Sequence, residues 1–315
     1  MAYYVRMLPE GARRQVWEIT DRRAIRIDVS NAEKGAGTHF EADADETIWD
    51  CIRRATPWFE PAGENPFHQL ALGPGQYYSR IARPIGGQTF WCPGTSVEKN
   101  VTAVAGGQLT ALTQQLSRIC QTVHPTAETF NTFGHDIRNL LILACTEVEA
   151  HWRGVLLKNQ LLKDRYSTND YCALRSIMKL DEYAVNFPHF PWLNDLRPFE
   201  GWGRTGKPSQ DLTWYDAYNA VKHNREAEFK RATLGNAFAA VSACAVMMLA
   251  QYGDMKYSIG QRPEVTSFFA FSLRPSWSLS DEYIFPYSAK GWVPVPFDFS
   301  GGRANQQCVI SGLHL

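Results

Sequence analysis

The sequence has no excess charge of either sign, with 32 lysine and arginine residues against 32 aspartate and glutamate residues in 315 positions. A field over the whole chain able to draw in nucleic acid is thereby excluded, and only local basic pairs such as Arg13-Arg14 and Arg22-Arg23 remain. Paired cysteines are also lacking. The seven present, Cys51, Cys92, Cys120, Cys145, Cys172, Cys244 and Cys308, are scattered and form no Cys-x-x-Cys. That argues against a structural zinc site and a disulfide framework, and an odd number fits a reducing compartment. No basic leader with an apolar core opens the sequence, which predicts a cytoplasmic protein. The most apolar run, residues 237–250, is short of the ~20 residues of a membrane span and is expected as a buried central helix. Neither Gly-x-Ser-x-Gly nor His-Glu-x-x-His occurs, and there is no internal repeat or low-complexity tract. The glycines of Gly201-Trp202-Gly203-Arg204-Thr205-Gly206-Lys207 lack Walker-loop spacing and follow no predicted strand. They read as a connection whose Arg204 and Lys207 are available to a phosphate.

What is present points to a packed protein of α+β class. Hydrophobic residues make up 44% and charged residues 20%, and the chain is long enough for two domains. Short strands are expected at 3–7, 15–19 and 23–29, where Ile25, Ile27 and Val29 alternate with Arg26 and Asp28. A helix is expected at 45–55. Two further strands, 67–72 and 77–83, flank the turn Gly73-Pro74-Gly75. Helical periods then take over at 108–123, 130–162, 168–187, 213–225 and 231–252, the last stopped by Gly253. Beyond it lie aromatic, proline-rich stretches at 267–271, 283–287 and 292–297. The expected organisation is a small β-rich N-terminal α/β module (1–98) and a helical bundle (99–256). An extended aromatic C-terminal arm (257–315) follows, packed on the body or on a partner.

Residues 213–225 form a helix with two unlike faces. Trp214, Ala217, Tyr218 and Val221 fall on one stripe, while Asp216, Asn219 and His223 gather opposite. An imidazole there can move a proton, with an amide one turn away to orient a substrate or set the tautomer. A plainer reading makes Asp216, three residues after Thr213, part of an N-terminal capping box.

The run Asn219-Ala220-Val221-Lys222-His223, late in a set of helices, resembles the final motif of HEPN-type helical domains. The likeness covers about residues 100–253. It implies a metal-independent ribonuclease or RNA-binding relative of the kind found in phage-defence and toxin systems. It also implies RNA as partner, no cofactor, and homodimerisation, for which the aromatic arm is suited. The family pattern leaves four to six residues between an Arg and the His, but the positions the Arg would take hold Asp216, Ala217 and Tyr218. Arg225 or Lys222 would have to supply the missing cation. On this resemblance His223 handles the proton, Asn219 positions the substrate, and Lys222 with Arg225 holds phosphate. A literal Arg–five–His match, Arg118 and His124, sits at a helix end before Pro125 and fits ordinary capping of the last carbonyls.

A second constellation is Glu147 and His151, one helical turn apart, with His151 inside the apolar stripe. Such a pair can ligate a metal or work as acid and base, yet no second Glu-x-x-His accompanies it, and a hydrogen-bonded core histidine is expected. The competing functional class is a non-catalytic sensor or scaffold acting through protein contacts, which the absent Arg favours.

Overall fold

A computed structural model describes residues 1–7, 14–29, 37–59, 65–86, 89–95, 98–254, 262–287, 297 and 309–313. Arg13, residues 292–296 and Cys308, named above, lie outside this set. The class is mixed α+β with a helical majority. The chain divides into two units. The first joins 1–78, 83–90 and 277–311; the second joins 79–82, 91–276 and 312–315.

The first unit is built on a five-stranded sheet: β1 (Ala2–Met7), β2 (Arg14–Ile19), β3 (Arg23–Arg26), β4 (His39–Glu41) and β5 (Phe67–Gln69), in the order β4-β3-β2-β1-β5. All its pairings are antiparallel, with Tyr4 opposite Trp17 and Val5 opposite Val16. Because side chains alternate across a strand, these two pairs face opposite ways. Trp17 packs with Phe40, Phe59 and Phe67 beneath helix α1 (Ile48–Ala55), whose Ile48, Cys51 and Ile52 close that core. Val5 and Val16 meet Leu70 and Ile284 on the other face. Residues 279–287 thus cover a sheet surface that would otherwise be wet. Helix α1 begins at Thr47, whose hydroxyl accepts from Asp50 N at 3.2 Å.

The second unit holds the long helices α2 (Lys99–Thr122), α3 (His135–Lys158), α4 (Thr213–His223) and α5 (Leu234–Tyr252). Helices α3 and α5 run parallel, since Ala144 O accepts from Cys244 Sγ and His151 meets Gln251 further along. Helix α4 packs on both. Helix α5 is long and apolar enough to cross a membrane by length and composition, and 83% of its most apolar window is buried. Thr233 caps its start and Gly253, at φ 74°, ends it.

Two expectations need correction. Helix α2 starts at Lys99 rather than near 108 and runs through Gly106-Gly107. Arg262 lies over Gly106, in the space a Cβ would take, so the glycine serves a close approach rather than a break. The single helix expected at 168–187 is instead two short helices, Thr168–Cys172 and Leu174–Met178, then a 3₁₀ turn and the strand Ala184–Asn186. Lys179 adopts a left-handed φ of 50°, which ends the helix, and Ala184 and Val185 are buried where they pair with Ala270–Leu273.

Candidate functional site

Helix α4 is oriented by its apolar stripe. Trp214, Ala217, Tyr218 and Val221 are all buried, and Trp214 Nε1 donates to Pro198 O at 2.7 Å. Tyr215, also buried, donates its hydroxyl to Glu149 on α3 at 2.6 Å. The opposite stripe is thereby turned outward, with Asp216 and Asn219 half-buried and His223 exposed in the last turn. The capping-box reading of Asp216 is not what forms: the N-cap is Leu212, which makes no side-chain cap. The Asp216 carboxylate instead pairs with Arg231, whose other terminal nitrogen approaches Glu228 at 3.7 Å.

Lys222 donates to Tyr218 Oη at 2.9 Å and lies over that ring, and the hydrogen bond raises its pKa. His223 and Arg225 are exposed, and neither forms an ion pair among the described residues. Arg204 and Lys207 are exposed too, on a loop gathered around Asp211, which accepts from Gly203 N at 2.7 Å and from Thr205. That loop precedes the N-terminal end of α4, whereas His223 closes the C-terminal end, about 15 Å along the axis. Helix α4 itself thus separates Arg204 and Lys207 from the His223 end. Of the literal Arg118–His124 match, Arg118 is on the exposed side of α2 and His124 stacks on Trp192 with ring centroids 5.0 Å apart.

The second constellation is a cleft of about 400 Å³ lined by α2, α3, Tyr252 and Arg80. His151 is 5% exposed. Gln251 Nε2 donates to Met247 O at 3.0 Å and lies 2.7 Å from His151 Nδ1. A carbonyl can only accept, so the amide nitrogen faces Met247, its second hydrogen goes to Nδ1, and the ring proton sits on Nε2. Burial first, then the charge of Arg80, pulls the imidazole down to about 4 against the help of Gln251. The 3.5 Å approach of Nε2 to Glu147 Oε1 is therefore not an ion pair at neutral pH, although it has ion-pair distance. Burial pushes the Glu147 carboxyl up. Both groups are less charged than their types ordinarily are, as desolvation requires.

Arg80 enters on the segment 79–82. Ser79 is tied to Asn159, at the end of α3, by hydrogen bonds of 2.9 and 2.8 Å, and Ala82 N donates to Ala250 O. Arg80 is left-handed, φ 56°, a costly conformation for a residue with a Cβ. Its Nε and Nη2 donate to the two oxygens of Glu98 at 2.8 and 3.2 Å, and Lys158 reaches the same carboxylate at 2.6 Å. Burial pushes Glu98 up, but these two cations outweigh it and hold it below the usual range. Arg80 Nη1 lies against Gly154, in the space a Cβ would need.

Sequence reasoning found Glu147 and His151 but not Arg80, Gln251 or Tyr252. Gly154, an interior helical glycine three residues beyond His151, was the one local sign of a close approach. Among the described residues no three of His, Cys, Asp and Glu are grouped to hold a metal. Glu147 and His151 alone offer two donors where a catalytic zinc site uses three.

Together these features define an α+β protein whose helical unit carries an exposed cationic helix end and a separate cleft over a buried histidine. No family model, curated protein or solved structure matches the chain.

Proposed function

We propose that the helical unit is a HEPN-type bundle that binds RNA at the C-terminal end of α4, with residues 277–287 acting as the arm that closes the β-rich module. The observation that carries this reading is the exposure of His223 and Arg225 without an acidic partner among the described residues, next to exposed Lys222. Cations near the end of a helix, unneutralised by the protein, are suited to phosphate oxygens. In a cleaving enzyme His223 would move the proton, Asn219 would position the ribose, and Arg225 with Lys222 would hold the phosphate. Asp216 drops out of the proton-transfer set, because its charge is committed to Arg231.

A sensor or scaffold is the second reading, and one observation favours it. Asp216 and Lys222, two of the groups a cleavage site would use, already have partners in Arg231 and Tyr218.

The deciding experiment compares wild type with His223→Ala for new RNA 5′ ends in cells, and both for binding of single-stranded RNA. Cleavage confined to the wild type identifies the enzyme. Binding lowered about tenfold by joint Lys222→Ala and Arg225→Ala, with no cleavage by either chain, identifies an RNA-binding relative. RNA binding indifferent to these substitutions leaves the scaffold.

A further inference from the structure

The cleft over His151 joins an apolar mouth to a ring nitrogen that is buried and unpartnered among the described residues, and the α4 reading does not use it. Its walls are small and apolar: Val101, Val104, Ala105 and Ala150. Val101 and Val104 stand one turn apart on α2 and remain 42% and 75% exposed, so apolar area at the mouth is left uncovered. Its polar end is different in kind. Gln251 fixes the imidazole so that Nε2 carries the proton, and that nitrogen is buried with no hydrogen-bond acceptor among the described residues. An unmade bond at a buried donor is costly, and native structures rarely keep one without a reason.

Glu147 Oε1 lies 3.5 Å from that N–H without bonding to it. The cleft therefore sets a donor, His151 Nε2, beside an acceptor, the Glu147 carboxyl. Arg80 and Lys158 are set against Glu98 and Glu147, two cations to two carboxylates, so this end of the cleft holds no excess formal charge for an anion. A ligand that satisfies this end must be uncharged and must present an acceptor and a donor side by side. A volume of about 400 Å³ admits a heterocycle with a sugar-sized substituent.

We propose that this cleft binds an uncharged planar heterocycle bearing a ring N–H next to a C=O, the edge shared by uracil and hypoxanthine. The ring C=O accepts from His151 Nε2–H and the ring N–H donates to Glu147. The body of the ring covers Val101 and Val104. Glu147 lies one turn before His151 and is only half-buried, so its side chain can shift to admit the ligand edge. Such a base belongs either to a free nucleoside or to a nucleotide within RNA, and the chemistry at the cleft is the same.

The test uses the full chain and isothermal titration with uridine and inosine, each beside its ring-N-methylated counterpart, 3-methyluridine and 1-methylinosine. Methylation puts a methyl group where the N–H was and so blocks that edge, while the C=O groups and the sugar are unchanged. Binding of uridine or inosine, weakened at least about tenfold by methylation, is the expected result. Val104→Trp fills the mouth from a position the core does not need, and should abolish binding while leaving thermal unfolding unchanged. Competition between oligouridylate and uridine assigns the base to RNA; its absence assigns it to a free small molecule. No binding of either nucleoside up to about 5 mM, or equal binding of the methylated forms, overturns the proposal, as does unchanged binding by a folded Val104→Trp chain. His223→Ala should leave uridine binding intact, which separates this site from the end of α4.

Discussion

His151 is a base kept neutral by its surroundings, and that has a consequence for stability. Its folded value, about 4, lies below the ordinary 6.5 of histidine. Between the two, the unfolded chain takes up a proton that the folded chain refuses. Stability is therefore complete above pH 6.5 and is lost as pH falls toward 4. The gap corresponds to about 3 kcal/mol. Glu147, raised by burial, acts in the opposite sense, so the contrast with His151→Gln isolates the histidine. Urea unfolding at pH 7 and at pH 4.5 should show the larger loss in wild type, and equal losses in the two chains would refute the assignment. The Asp216–Arg231 pair makes a smaller claim. Both side chains are about one-third exposed, 32% and 36%, so Asp216→Asn should cost under about 1 kcal/mol. On the proposed RNA reading it should also strengthen binding by releasing the Arg231 charge, measured as a lower Kd for single-stranded RNA.

Helix α3 shows how one glycine records a tertiary contact. Gly154 to alanine in a helix ordinarily stabilises by up to about 1 kcal/mol. Here the added methyl falls where Arg80 Nη1 sits, and Arg80 cannot swing aside without loosening its two bonds to Glu98. Gly154→Ala should therefore bring no gain in wild type, but about 1 kcal/mol in an Arg80→Ala background, as read by a double-mutant cycle. The existence of α3 was legible in its periodic apolar residues, while the reason for Gly154 was not, because its partner lies more than seventy positions away. Helix α4 was legible almost whole: Trp214, Ala217, Tyr218 and Val221 are the buried stripe that a period of 3.6 requires. The region 168–187 was misread because Leu180, Tyr183 and Phe187 have helical spacing, although Tyr183, Val185 and Phe187 alternate as a strand requires. Pairing with Ala270–Leu273 decided between them.

The zero net charge of the chain limits how any RNA is held. Without a general attractive field, contacts come only from a few local cations, and each contributes about −0.7 to the slope of log affinity against log salt for a single strand. Lys222, His223 and Arg225 give a slope no steeper than about −2. A much steeper slope would place the contact elsewhere. In the β-rich unit, Trp17 meets three phenylalanine rings with centroids 5.6–6.2 Å away, so Trp17→Ala should cost about 3–5 kcal/mol in denaturant unfolding.

Periodicity and punctuation were enough to assign the α+β class, the β1–β3 strands, the buried face of α4 and the stop at Gly253, because each depends on residues within a few positions of one another. Tertiary structure alone decided that Asp216 is bound to Arg231, that Gln251 sets the proton of His151, and that Arg80 lies on Gly154. Those partners are separated by 15 to 100 positions. A polar side chain in a folded chain takes whichever partner packing brings within reach, and no local pattern encodes which one that is.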